Sequence, residues 1–143
     1  MARIKLTLPE TFSFTTTLPV RITDLNYGGH VGNDTILTLL HEARVQYLKH
    51  LGYSELDLAG VSLIMADVAI EFKAELFYGD ALQAAVNEAE FTRAGFELYY
   101  KLFVQKEEKE VTIALAKTGM VCFNYNTRKV TAIPQEAVDK MKN

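Results

Sequence analysis

The residues with the most chemistry in them are bunched. The run Asp24-Leu-Asn-Tyr-Gly-Gly-His-Val-Gly-Asn33 brings a carboxylate, two carboxamides, an imidazole and three glycines together, immediately before a strongly amphipathic segment. A flexible polar loop feeding a helix start exposes N–H groups that can bind an oxygen anion or a carbonyl. Gly28, Gly29, His30 and Val31 are the candidates to present them, with Tyr27 and Asn33 beside them. His30 could polarise a carbonyl, and Asn26 could hydrogen-bond it or orient a water. Two carboxylates could serve as base. Asp24 shares a face with Asn26 if the strand persists that far. Glu42 lies among apolar Leu39, Leu40 and Ala43, where partial burial would raise a carboxyl toward a useful general-base value.

Each residue also has a plainer reading. The glycines could only make a tight turn, Asp24 could hold the loop, and His30 could structure it. Glu42 could be an exposed helix glutamate with Gln46 or Arg44 nearby. Asp67, in an otherwise apolar stretch, is expected to mark a solvent-facing side. Cys122 has no suggestively spaced histidine and reads as buried and structural.

The elements that must position this loop are legible from periodicity. Residues 11–23 alternate as a strand, bent or broken at Pro19. Asn33 is the expected N-cap, with Asp34 in the first turn. Apolar positions 36, 39, 40, 43, 47, 48 and 51 form a helical stripe ended by Gly52. The period then becomes two, giving strands over residues 62–75, 81–92, 96–104 and 111–125, with a last short segment at 130–133 and a helix opened by Pro134 at its first position. Short turns imply antiparallel neighbours. The expectation is one α+β domain over residues 1–143, an antiparallel sheet curled around one long helix, with edges that pairing in a dimer would cover.

Composition narrows the class. A 143-residue chain, 49% hydrophobic, can bury a real core, and a net charge of −3 argues against a nucleic-acid surface. Neither a secretory signal nor a membrane span is visible, and a lone cysteine suits a reducing compartment, so a cytoplasmic protein is expected. His30, His41 and His50 have no i, i+4 pairing, so no metal is expected; no P-loop or Rossmann glycine pattern is present.

The run 24–33, followed by Leu-Leu-His-Glu-Ala-Arg44, resembles the signature of hotdog-fold thioesterases, in the branch of the 4-hydroxybenzoyl-CoA thioesterase-like acyl-CoA hydrolases. The resemblance covers residues 12–134. It implies a homodimer or homotetramer that hydrolyses thioesters of coenzyme A or acyl carrier protein, with sites between subunits and no cofactor beyond the thioester substrate. Asp24, Asn26, His30 and Glu42 would be catalytic, and Tyr27, Gly28, Gly29, Val31 and Asn33 substrate-binding. One departure matters: Asn26 stands where the family's best-known members carry a catalytic aspartate. That keeps a non-catalytic acyl-CoA-binding module in play. A hydratase is less favoured, because Gly28 and Gly29 stand where that branch has proline. Arg93, Arg128 and Lys129, in turns, are the sequence's candidates for the phosphates of coenzyme A.

Overall fold

The computed structural model describes residues 3–143. Its strands are β1 (Phe14–Pro19), β2 (Ser62–Phe72), β3 (Ala81–Thr92), β4 (Gly95–Lys106), β5 (Lys109–Asn124) and β6 (Lys129–Val130). Helix α1 (Asn33–His50) enters after β1, and α2 (Gln135–Lys142) closes the chain. The sheet runs β1-β3-β4-β5-β2, with β6 beside β5, and every pairing is antiparallel.

Helix α1 buries the stripe that its sequence shows: Ile36, Leu39, Leu40, Ala43, Tyr47 and Leu48 face the sheet. They meet an alternating row from β4, namely Phe96, Leu98, Tyr100, Leu102 and Val104. The helix stops where Gly52 takes φ +86, a conformation that costs glycine nothing. The Tyr53 N–H then bonds the Leu48 carbonyl at 2.8 Å, and the Gly52 N–H bonds that of Lys49 at 2.9 Å, closing a Schellman cap.

The sheet reaches further than the helix covers. Residues opposite each other in an antiparallel pair share a face. Val68 lies opposite Thr118 and Phe72 opposite Ala114, so both point to the helix side. Yet Val68 stays 38% and Phe72 47% exposed. Strand β2 is therefore an edge with an apolar, half-open face. A bulge between Met65 and Asp67 keeps Met65 and Val68 on that face and turns Asp67 outward, where its Oδ1 accepts the Gly119 N–H at 3.0 Å. A Cβ at Gly119 would lie 2.6 Å from that oxygen, so a larger residue there would push the Asp67 carboxylate off this bond.

The strand expected over 62–75 ends at Phe72, and the segment expected at 130–133 is Lys129–Val130; three further boundaries depart from the sequence reading. The first strand ends at Pro19, and residues 22–24 form a 3-10 turn instead of continuing it. Proline removes the ladder donor, and the Asp24 carboxylate then captures the Arg21 N–H at 2.8 Å. The N-cap of α1 is Gly32, whose carbonyl accepts the N–H groups of Thr35 and Ile36, so Asn33 becomes the first helical residue. Pro134 is likewise the N-cap of α2, not its first residue. Among the described residues, no helix is long and apolar enough to cross a membrane.

Candidate active site

The loop between β1 and α1 is a small self-bonded knot. The Asn26 N–H donates to the His30 carbonyl at 2.8 Å, and the Gly29 N–H donates to the Asn26 carbonyl at 3.1 Å. Asn26 Oδ1 accepts the Gly28 N–H at 2.8 Å. The Val31 N–H crosses to the Leu76 carbonyl at 2.8 Å, which ties the loop to the β2–β3 connection. Of the amides from Gly28 to Val31, three are thus taken internally. The His30 N–H is the remaining donor of that run, with Asn33 and Asp34 offering the free N–H groups of a helix first turn.

Asp24 lies beneath the loop. It is 4% exposed, and its two oxygens meet the Arg21 N–H at 2.8 Å and the Arg21 guanidinium at 3.3 Å. With the strand broken at Pro19, it does not share an extended face with Asn26. What Asp24 does here is hold the turn from which Asn26 projects.

Asn26 and His30 are neighbours across Gly28. A Cβ on Gly28 would sit 3.2 Å from Asn26 Oδ1 and 3.6 Å from both Cδ2 and Nε2 of the His30 ring. Since Oδ1 serves the Gly28 N–H, the amide Nδ2 of Asn26 is left as a donor. His30 Nδ1 lies 3.2 Å from the Val31 carbonyl. A carbonyl only accepts, so Nδ1 carries the proton and the neutral ring keeps a lone pair on Nε2. His30 and Asn33 line a cavity of about 360 Å³ with Ile36, Phe72, Leu76 and Ile113. Tyr27 is fully exposed at the loop tip, while Val31 is buried.

Glu42 sits elsewhere. It is exposed, bonded to Gln46 Nε2 at 2.8 Å, and lines a separate groove of about 420 Å³ with Pro19, Arg21, Thr38 and Val45. The expected partial burial is absent, because the apolar neighbours 39, 40 and 43 point inward and leave position 42 on the far side of the helix. Gln46 is its neighbour as expected; Arg44 is not. Within one chain, then, Asn26, His30 and Asn33 gather at one end of the sheet, and Glu42 does not join them.

The sequence reading missed a second polar centre. Arg44 turns into the core, 5% exposed, donating to Glu55 at 2.9 Å and to the Tyr100 hydroxyl at 3.3 Å. The Tyr100 hydroxyl in turn pairs with Thr118 at 2.7 Å, and His41 Nε2 meets Glu55 at 2.6 Å. Burial pushes the Tyr100 phenol up, against the pull of Arg44. The spacing from Leu40 to Arg44 to Leu48 places Arg44 on the buried stripe, and that was the available signal. His50, read as an ordinary helix residue, packs on Phe14 with ring centres 5.1 Å apart. Cys122 is fully buried, and burial raises its thiol to about 11, which fits an inert structural role. Among the described residues, no cluster of three or more metal-ligating side chains occurs.

A family model, the Thioesterase-like superfamily, matches residues 20–141, from the loop's entry to α2. The chain belongs to that superfamily. Its relatives include a putative esterase of Aquifex aeolicus, 29% identical over 117 residues, covering 80% of this chain and 87% of that one. A 1,4-dihydroxy-2-naphthoyl-CoA hydrolase of Microcystis aeruginosa is 28% identical over 119 residues, covering 81% and 83%. Among solved structures, a 1,4-dihydroxy-2-naphthoyl-CoA thioesterase from Synechocystis superposes with a TM-score of 0.80 at 22% identity, covering 91% and 96%. The antiparallel sheet around α1 is the hotdog fold of these thioesterases, as the sequence implied.

Proposed function

We propose that this superfamily member hydrolyses acyl-CoA thioesters at the cavity beside residues 26–33, with His30 as the general base. The observation that carries the reading is the His30 ring, whose Nδ1 lies 3.2 Å from the Val31 carbonyl and so points the Nε2 lone pair of the neutral ring to the side of Asn26. A water deprotonated by Nε2 attacks the thioester carbon. Asn26 Nδ2, with the His30 N–H or the first-turn amides of α1, stabilises the oxyanion. Collapse breaks the C–S bond, and the His30 imidazolium returns its proton to the departing thiolate. Asp24 acts at one remove, by holding the turn under Asn26. This assignment answers the missing aspartate: an amide at position 26 binds the carbonyl, and the imidazole supplies the base.

The relatives that act on 1,4-dihydroxy-2-naphthoyl-CoA support a bulky aromatic acyl group, and the walls of Ile36, Phe72, Leu76 and Ile113 suit one. A homodimer fits the open edge of β2, whose apolar Met65 and Val68 would be covered by a second copy. The half-open row should make Val68→Lys weaken association in analytical ultracentrifugation.

The test is thiol release from short, long and aromatic acyl-CoAs, beside His30→Ala, Asn26→Ala, Glu42→Ala and Asp24→Ala. Release that is lost in His30→Ala and kept in Glu42→Ala is expected. Loss in Glu42→Ala alone would move the base to the α1 groove. A folded protein that binds coenzyme A and releases no thiol from any substrate would be a binding module.

A further inference from the structure

Beside the His30 cavity lies a larger one, about 550 Å³, that the proposed chemistry leaves unused. It is lined by Arg3, Ile4, Lys5, Ile70, Phe72 and Lys73, with Glu71 as its one acid. The two cavities share Phe72 and Lys73, so they form one trough along the end of β2. Resting on the thioesterase reading, we infer that Arg3, Lys5 and Lys73 seat the phosphates of coenzyme A, and that the enzyme therefore selects coenzyme A thioesters over carrier-protein thioesters.

Charge is the first argument. Three cations face one carboxylate in a chain whose net charge is −3, so the trough is a cationic spot on an acidic molecule. Glu71 is already engaged: its carboxylate accepts the Leu6 N–H at 3.1 Å and meets Lys73 Nζ at 2.7 Å. That bond also anchors the segment carrying Arg3 and Lys5 to the strand. In the neighbouring cavity Glu75 is the only other acid. The second argument is shape. Ile4, Ile70 and Phe72 give the same cavity an apolar wall, with the Phe72 ring 47% exposed, which suits the face of an adenine.

Length is the third argument. The arm of coenzyme A from sulfur to the first phosphate is about thirteen bonds, roughly 16 Å when extended at the per-bond reach of a polypeptide. The loop touches this side of the molecule at Leu76, and Ile70 lies six residues back, at most roughly 20 Å at strand rise. The spans agree. Arg93 and Arg128 sit at the other end of the sheet, beyond the 12 residues of β3, roughly 40 Å of strand. An arm of that length does not reach them.

The seat predicts a split between substrates. Benzoyl-CoA and benzoyl-N-acetylcysteamine carry the same thioester, but the second has no nucleotide. In Arg3→Gln/Lys5→Gln, KM for benzoyl-CoA should rise about tenfold, with kcat and the kinetics on benzoyl-N-acetylcysteamine unchanged; Lys73→Gln, whose side chain also lines the His30 cavity, is read by coenzyme A affinity alone. Titration calorimetry with free coenzyme A reads the seat without turnover. It should show weaker binding in both variants, and weaker binding of 3′-dephospho-coenzyme A than of coenzyme A by wild type. Weaker binding without hydrolysis of either thioester would leave the seat standing and remove only the thioesterase reading. Unchanged coenzyme A affinity in the variants, or equal loss on both thioesters, would overturn the seat.

Discussion

Around Arg44, polar groups from α1, the connector after it, β4 and β5 close on one another, and among the described residues no buried side-chain nitrogen or oxygen is left without a partner. In the loop at residues 22–32 the N–H groups of Asn26, Gly28, Gly29 and Val31 are bonded, but the His30 N–H, Asn26 Nδ2 and His30 Nε2 have no protein partner. Both regions combine charged, amide and aromatic groups. Buried polar groups left unpaired are costly, so the core cluster is saturated and acts as structure. Exposed groups carry little of that cost, so the loop can hold open valences for a ligand. The difference separates residues whose loss should unfold the protein from residues whose loss should silence it.

The largest expected effect is on the saturated side. Arg44→Met leaves Glu55 with His41 alone and the Tyr100 hydroxyl with Thr118 alone, and should lower stability by about 3 kcal/mol, read by urea denaturation, with turnover per folded molecule kept. His30→Ala should do the reverse: a fall in kcat of roughly two to three orders of magnitude, with a denaturation midpoint close to wild type. Asn26→Ala should cost about a hundredfold in kcat, with a small loss of stability because the Gly28 N–H loses its acceptor. A mixed outcome, such as His30→Ala unfolding the chain, would break the division.

Acid should act on the saturated region. Burial alone would raise the Glu55 carboxyl, but hydrogen bonds from Arg44 and His41 outweigh it and hold the group below its ordinary value of 4.5. A carboxyl depressed in the folded state adds stability above the ordinary value, and that increment vanishes as pH falls through the depressed one. Glu55→Gln should flatten stability against pH below about 4.5, and leave the shape of the profile above it unchanged. The smallest effect belongs to the β4–β5 hairpin tip, where Glu107 and Glu108 both hold positive φ, 51 and 66. Asn-Gly there should add roughly 0.5–1 kcal/mol without touching kcat.

Much of this was legible in the sequence because period and punctuation act locally. The stripe at 36, 39, 40, 43, 47 and 48 could only be a helix face, and Phe96 to Val104 only a strand. The loop's membership of the site was legible too, since glycines, His30 and a helix start lie within one run. What was illegible depends on distant partners. The β2 bulge is tied by the Gly119 N–H, some fifty residues on, which donates to the outward-turned Asp67. Arg44 falls on the stripe's period, but what it pairs with waits on Glu55, Tyr100 and Thr118, which meet around it only in the fold. The two readings of Asp24, base or holder of the loop, could not be told apart in sequence, because its bond to the Arg21 N–H depends on the chain leaving the ladder at Pro19. Glu42 had the apolar neighbours that suggested burial, but within one chain it lies on the exposed side of α1.

The most direct measurement is the pH dependence of kcat/KM for thiol release from an aromatic acyl-CoA, in wild type and in His30→Gln. The account predicts activity that rises with pH as the general base loses its proton, and a residual rate in His30→Gln without that rise. Full activity in His30→Gln with the same rise would contradict it.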